Sequence, residues 1–89
     1  MQAVTIKAFG HISSLLGARE VVLACDSPLQ VNAILDELKS RYPLFSNYLG
    51  RLNNIEESLL ILADNREMHL HSLVQPGEKL VLVTPISGG

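Results

Sequence analysis

The stretch from Val4 to Ala24 reads Val-Thr-Ile-Lys-Ala-Phe-Gly-His-Ile-Ser-Ser-Leu-Leu-Gly-Ala-Arg-Glu-Val-Val-Leu-Ala. Val4, Ile6 and Ala8 alternate with Thr5, Lys7 and Phe9, the period-two pattern of a half-buried strand. Gly10 breaks that pattern. Ile12, Leu15 and Leu16 then fall at helical spacing, and Gly17 suits the end of a one- or two-turn helix. Glu20 to Ala24 is a second strand. Residues 10–19 are too few for a crossover between parallel strands, so the two strands are expected to form an antiparallel hairpin.

Downstream, Asp26-Ser27-Pro28 reads as a helix start, with Ser27 as cap and Pro28 at the first helical position. Val31, Ile34, Leu35 and Leu38 repeat at three and four residues, which predicts an amphipathic helix with one face on a sheet. Pro43 should end it. Leu44 to Leu52 suits a second short helix at the sheet's edge, with Phe45, Tyr48, Leu49 and Leu52 on one side. Ser58 to Ala63 is nearly continuous apolar sequence and predicts a buried strand. Asp64-Asn65 should turn into a short strand over Glu67 to His71. Pro76-Gly77 is another turn, and Lys79 to Thr84 is the last strand. Hairpin, helix and three further strands close most simply with the first and last strands paired centrally. That arrangement is an α+β, β-grasp fold: a mixed five-stranded sheet, one main helix and a short second helix. The 89 residues make one domain, 1–89.

Composition excludes several function classes. With 47% hydrophobic and 18% charged residues, the chain can build a core and is not of the disordered type. No apolar run is long enough to span a membrane, and no secretory signal pattern opens the chain. A net charge of −2 and scarce aromatics argue against nucleic acid as partner. One cysteine, Cys25, cannot form an internal disulfide, and a cytoplasmic location is the simplest expectation.

No catalytic set is visible. His69 and His71 would share a face of a strand, but two ligands are too few for a tight metal site. Cys25 precedes the expected helix start, which would favour its thiolate, yet no histidine lies near it in sequence. Lys39, Arg41 and Arg51 form either a small basic patch or a solvated helix face. The most informative feature is the terminal pair Gly88-Gly89. Chance would place glycine at both positions in roughly half a per cent of chains. Without side chains the pair can extend into a narrow channel and present its carboxylate inside another protein. That carboxylate is a poor acyl donor until it is adenylated.

Phe9-Gly10, Leu15-Leu16-Gly17-x-x-Glu20, Arg41-Tyr42-Pro43, Pro76-Gly77-Glu78 and Pro85-Ile86-Ser87-Gly88-Gly89 together resemble the MoaD/ThiS family of ubiquitin-like sulfur carriers. The resemblance covers essentially the whole chain. It is closer to MoaD, the small subunit of molybdopterin synthase, because ThiS is typically shorter and lacks the stretch from Leu44 to Glu57. The resemblance implies that a MoeB/ThiF-type enzyme would use ATP to adenylate Gly89. A sulfur donor would then convert Gly89 to a thiocarboxylate. The tail would enter a MoaE-type large subunit and pass sulfur to a pterin precursor. No cofactor would be bound stably, and the catalytic side chains would belong to the partner.

Docking needs a surface. If Val4, Ile6, Ala8, Leu80 and Leu82 face the helix, Phe9, Val81 and Val83 face outward next to the tail. With Pro85, Ile86 and Ser87 they are the expected partner-binding residues. Other readings keep the fold and change the role: a carrier for thiamine, cysteine or tRNA thiolation, a ubiquitin-like protein modifier, or a binding module with an inert tail.

Overall fold

A computed structural model of the chain describes residues 2–84. Strand β1 (Ala3–Ala8) alternates as expected, with Val4, Ile6 and Ala8 fully buried. Helix α1 (His11–Leu16) follows, and Gly17 ends it in the left-handed conformation at φ 68°. Glycine adopts that conformation without a side-chain clash, and the turn sends the chain back into β2 (Glu20–Ala24). β1 and β2 pair antiparallel in unbroken register, from Ala3↔Ala24 to Lys7↔Glu20.

The main helix, α2 (Val31–Arg41), buries Val31, Ile34, Leu35 and Leu38. It does not start at Asp26-Ser27-Pro28. Leu29–Gln30 is instead a short strand, β3, paired antiparallel with β6 (Leu73–Val74). Gln30 occupies the cap position without a side-chain hydrogen bond. Backbone carbonyls from a distant segment do the capping. Val31 N–H donates to the Ser72 carbonyl at 3.0 Å, and Asn32 N–H to the Leu70 carbonyl at 2.9 Å. Two of the first-turn amides are satisfied this way, in place of a capping side chain.

Pro43 opens α3 (Pro43–Gly50), where its missing N–H costs nothing. Phe45 and Leu49 are buried. The helix packs against α2 and α1, the latter with His11 and Tyr48 edge to face at 5.3 Å. A one-turn helix absent from the sequence reading, α4 (Ile55–Ser58), is capped by Asn54, whose side chain accepts from Glu56 and Glu57 N–H at 3.0 and 3.3 Å.

β4 (Leu60–Ala63) and β5 (Arg66–Glu67) form a hairpin through Asp64 and Asn65, at φ 51° and 64°. Those angles are the signature of the tight hairpin turn that the Asp-Asn pair predicts. The expected strand over Glu67 to His71 is cut short. After buried Met68 the chain turns, with Ser72 N–H donating to the His69 carbonyl at 3.0 Å and His69 N–H to Ser72 Oγ at 2.9 Å. A turn over Gln75–Glu78, with Gly77 at φ 93°, leads into β7 (Lys79–Val83).

The main sheet runs β2-β1-β7-β4-β5. β7 lies parallel to β1, with Ile6 opposite Leu80, and antiparallel to β4, with Ile61 opposite Leu82. The first and last strands are thus central neighbours. One face of the sheet carries Val4, Ile6, Leu80, Leu82 and Ile61 into a common core with the inner side of α2. This is the β-grasp architecture, with an added two-stranded ribbon and, among the described residues, three short helices besides α2.

Candidate functional site

The sheet's other face is open, and strand periodicity decides what it carries. Val81 and Val83 alternate with fully buried Leu80 and Leu82 and are half-buried. The expected outward row is therefore in place. Register puts Lys7 opposite Val81, and Phe9 extends the β1 row with its N–H donating to the Leu82 carbonyl at 3.4 Å. Phe9 is 53% exposed. A large apolar ring thus stands exposed beside two half-buried valines.

The sequence reading missed two members. Ser58 to Ala63 was expected to be buried throughout, yet only Leu59, Ile61 and Ala63 are buried. Leu60 and Leu62 lie half-buried on the open face, opposite Val83 and Val81. Helices cover only one side of the sheet, so a wholly apolar strand must leave alternate side chains on the other. A run of leucines next to an outward Val81-x-Val83 was the signal. The open face thus presents Phe9, Val81, Val83, Leu60 and Leu62 across β1, β7 and β4.

β7 directs the chain out of this region at Thr84. Pro85, Ile86, Ser87, Gly88 and Gly89 lie outside the described residues. At the opposite end of β7, the Gln75–Glu78 turn is held by Glu78. Its carboxylate accepts from Gln75 N–H at 2.6 Å and from the Arg66 guanidinium at 3.3 Å. Gly77 N–H donates to the Ala3 carbonyl at 2.8 Å. These bonds tie the start of β7 to β1 and so fix the register that sets Val81 and Val83 outward.

The remaining candidates are dispersed. Cys25 is half-buried behind β2, with its N–H donating to the Gln2 carbonyl at 3.0 Å. Because α2 begins at Val31, the thiol does not sit at a helix N-terminus, and that ground for thiolate activation is removed. His69 and His71 lie in the turn after β5 instead of sharing a strand face. His69 Nδ1 is 3.4 Å from Glu56 Oε2, which also accepts from Leu70 N–H at 2.9 Å. Among the described residues, no group of three or more His, Cys, Asp or Glu comes together in a way that could hold a metal ion. Lys39 pairs with Asp36 at 3.6 Å and Arg41 with Glu37 at 2.8 Å on an exposed helix face, as solvated i,i+3 and i,i+4 pairs do. Among the described residues, no helix is long and apolar enough to cross a membrane.

Neither the protein-family models nor the curated proteins contain a match to this chain. Solved structures do match over nearly the full length. SAMP1 from Haloferax volcanii superposes with a TM-score of 0.79 at 24% identity, covering 98% of this chain and 99% of that one. A Pyrococcus furiosus protein assigned as molybdopterin converting factor subunit 1 gives 0.74 at 16% identity, covering 97% and 100%. One chain of the Amycolatopsis orientalis BexX/CysO complex gives 0.73 at 21% identity, covering 98% and 100%. Likeness at these identities speaks to architecture, and it places the chain in the β-grasp, ubiquitin-like fold that those structures share.

Proposed function

We propose that the chain is a sulfur carrier that works through its Gly88-Gly89 tail as the small subunit of a molybdopterin synthase. The observation that supports this most is the pairing of tail and surface. A central strand, β7, carries Val81 and Val83 on an open apolar face with Phe9, Leu60 and Leu62, and the sequence runs on from that strand to Gly88-Gly89. The P. furiosus neighbour assigned as a molybdopterin converting factor subunit is consistent with the same role.

In this reading the Gly89 carboxylate attacks the α-phosphorus of ATP in a MoeB-type enzyme, releasing pyrophosphate and forming an acyl-adenylate. A sulfur nucleophile then displaces AMP and leaves a thiocarboxylate. Gly88 and Gly89 allow the carrier end to enter a narrow channel, where a side chain would collide. Pro85, Ile86 and Ser87 line the approach, and the open face docks first on the activating enzyme and then on a MoaE-type subunit. Because adenylation needs ATP, the compartment proposed is the cytoplasm.

The test is intact mass with fragmentation after incubation with ATP, a MoeB-type enzyme and a sulfur donor. Exchange of oxygen for sulfur confined to Gly89 is the expected result. Fragmentation is required because oxidation of Met1 or Met68 adds nearly the same mass. No change at Gly89 with several activating enzymes refutes the carrier reading. A second reading, a protein modifier, is favoured by the likeness to SAMP1, whose name denotes a small archaeal modifier protein. It predicts Gly89 linked to lysines of other proteins as an isopeptide ladder, lost when Gly88 and Gly89 are deleted.

A further inference from the structure

The two edges of the main sheet are not alike. β5, at one edge, is two residues long and both are charged, Arg66 and Glu67. Short, charged edges resist pairing with other chains. β2, at the other edge, spans Glu20–Ala24 with one charge, no proline and no bulge, its register with β1 unbroken. Val22 on it is 56% exposed.

The hydrogen-bond phase of β2 follows from its ends. Ala8 N–H donates to the Arg19 carbonyl and Cys25 N–H to the Gln2 carbonyl. Residues 19, 21, 23 and 25 therefore turn their backbone groups toward β1. Glu20, Val22 and Ala24 turn theirs outward, to an edge with no neighbouring strand among the described residues. Next to this edge a surface groove of about 480 Å³, lined by Leu23, Cys25, Asp26, Glu37 and Arg41 among others, separates β2 from α2. Nothing from the described chain covers the edge there.

We propose that β2 pairs with β2 of a second copy, antiparallel, on a two-fold axis through Val22. That register brings every outward backbone group of Glu20, Val22 and Ala24 into a bonded pair. Val22 faces Val22 of the second copy. Glu20 faces Ala24, so no acid meets an acid across the ladder. Shifting the register by two residues in either direction leaves outward groups unpaired. Arg19 falls opposite Cys25 of the second copy, on the helix side of the sheet, next to the groove's Asp26, whereas Glu37 there is already paired with Arg41. Among the described residues Arg19 has no ion pair of its own. Charge complementarity and the self-matching ladder select a second copy over an unrelated strand. An edge contact of this length falls below the about 1,200 Å² of standard interfaces, so the dimer is weak and concentration-dependent. The pairing uses the edge of the sheet and leaves the open faces of both copies accessible.

The test is sedimentation velocity on the full chain from about 10 µM to about 1 mM, a range suited to weak association. Reversible dimerisation is expected, with the Val22 amide gaining exchange protection as concentration rises. Ala24→Lys, which sets a cation against Glu20, should tighten the dimer about threefold to tenfold. Ala24→Glu should weaken it by a similar factor. Val22→Lys, which meets its own copy on the axis, should abolish it. Both positions are exposed, so thermal unfolding at low concentration checks that each of the three variants folds. A monomer throughout the range overturns the proposal. So does a dimer in which Ala24→Lys and Ala24→Glu act alike, because that dimer uses another surface.

Discussion

Phe9→Ala tests whether the open sheet face is what a partner grips. Phe9 is 53% exposed. A phenylalanine presents about 150–250 Å² of burial in full, so about 100 Å² remains for a partner to cover. At about 25 cal/mol per Å² that is about 2.5 kcal/mol, or roughly 70-fold in Kd. The assay is calorimetric titration against a MoaE-type large subunit, with circular dichroism confirming that the variant is folded at the titration temperature. Leu44→Ala is the matched control. Leu44 is 61% exposed but sits on α3, on the helical side of the molecule. General loss of surface apolarity would weaken both variants equally, whereas a specific docking face weakens only Phe9→Ala. Binding of Phe9→Ala within twofold of the native chain refutes the assignment of this face, as does an equal loss in Leu44→Ala.

Three predictions concern the scaffold. Phe45→Ala removes the largest fully buried side chain and should cost about 3–5 kcal/mol in urea unfolding, enough to leave a domain of this size barely folded. Asn54→Ala removes the side chain that accepts from Glu56 and Glu57 N–H and should cost about 1 kcal/mol, with amide exchange rising over α4 and the Glu56 contact to Leu70. Gly77→Ala meets no atom within 4 Å, so any loss comes from forcing a side chain to φ 93°; about 1–3 kcal/mol is expected in the same unfolding assay, and a neutral result shows that the turn relaxes.

Much of the scaffold was legible because it is encoded within short windows. The alternation of Val4, Ile6 and Ala8, the stripe of Val31, Ile34, Leu35 and Leu38, and the turn chemistry of Gly17, Asp64-Asn65 and Pro76-Gly77 each report a local period or a local dihedral preference. These signals, taken in order, were enough for hairpin, helix and closing strand, and so for the β-grasp. The Gly88-Gly89 pair is equally visible in the sequence, and the carrier role proposed for it rests on the absence of side chains there.

What escaped the sequence was set by contacts between distant segments. Asp26-Ser27-Pro28 has the composition of a helix cap, yet α2 starts at Val31 because the Leu70 and Ser72 carbonyls reach its first amides and Leu73–Val74 holds Leu29–Gln30 extended. No local pattern announces an acceptor supplied by a remote turn. Likewise, leucines at 59, 60 and 62 are chemically identical, and only the one-sided placement of the helices decides that Leu59 enters the core while Leu60 and Leu62 join Val81 and Val83 on the open face. Local periodicity encodes which way a side chain points relative to its neighbours; what it meets there depends on how the layers stack.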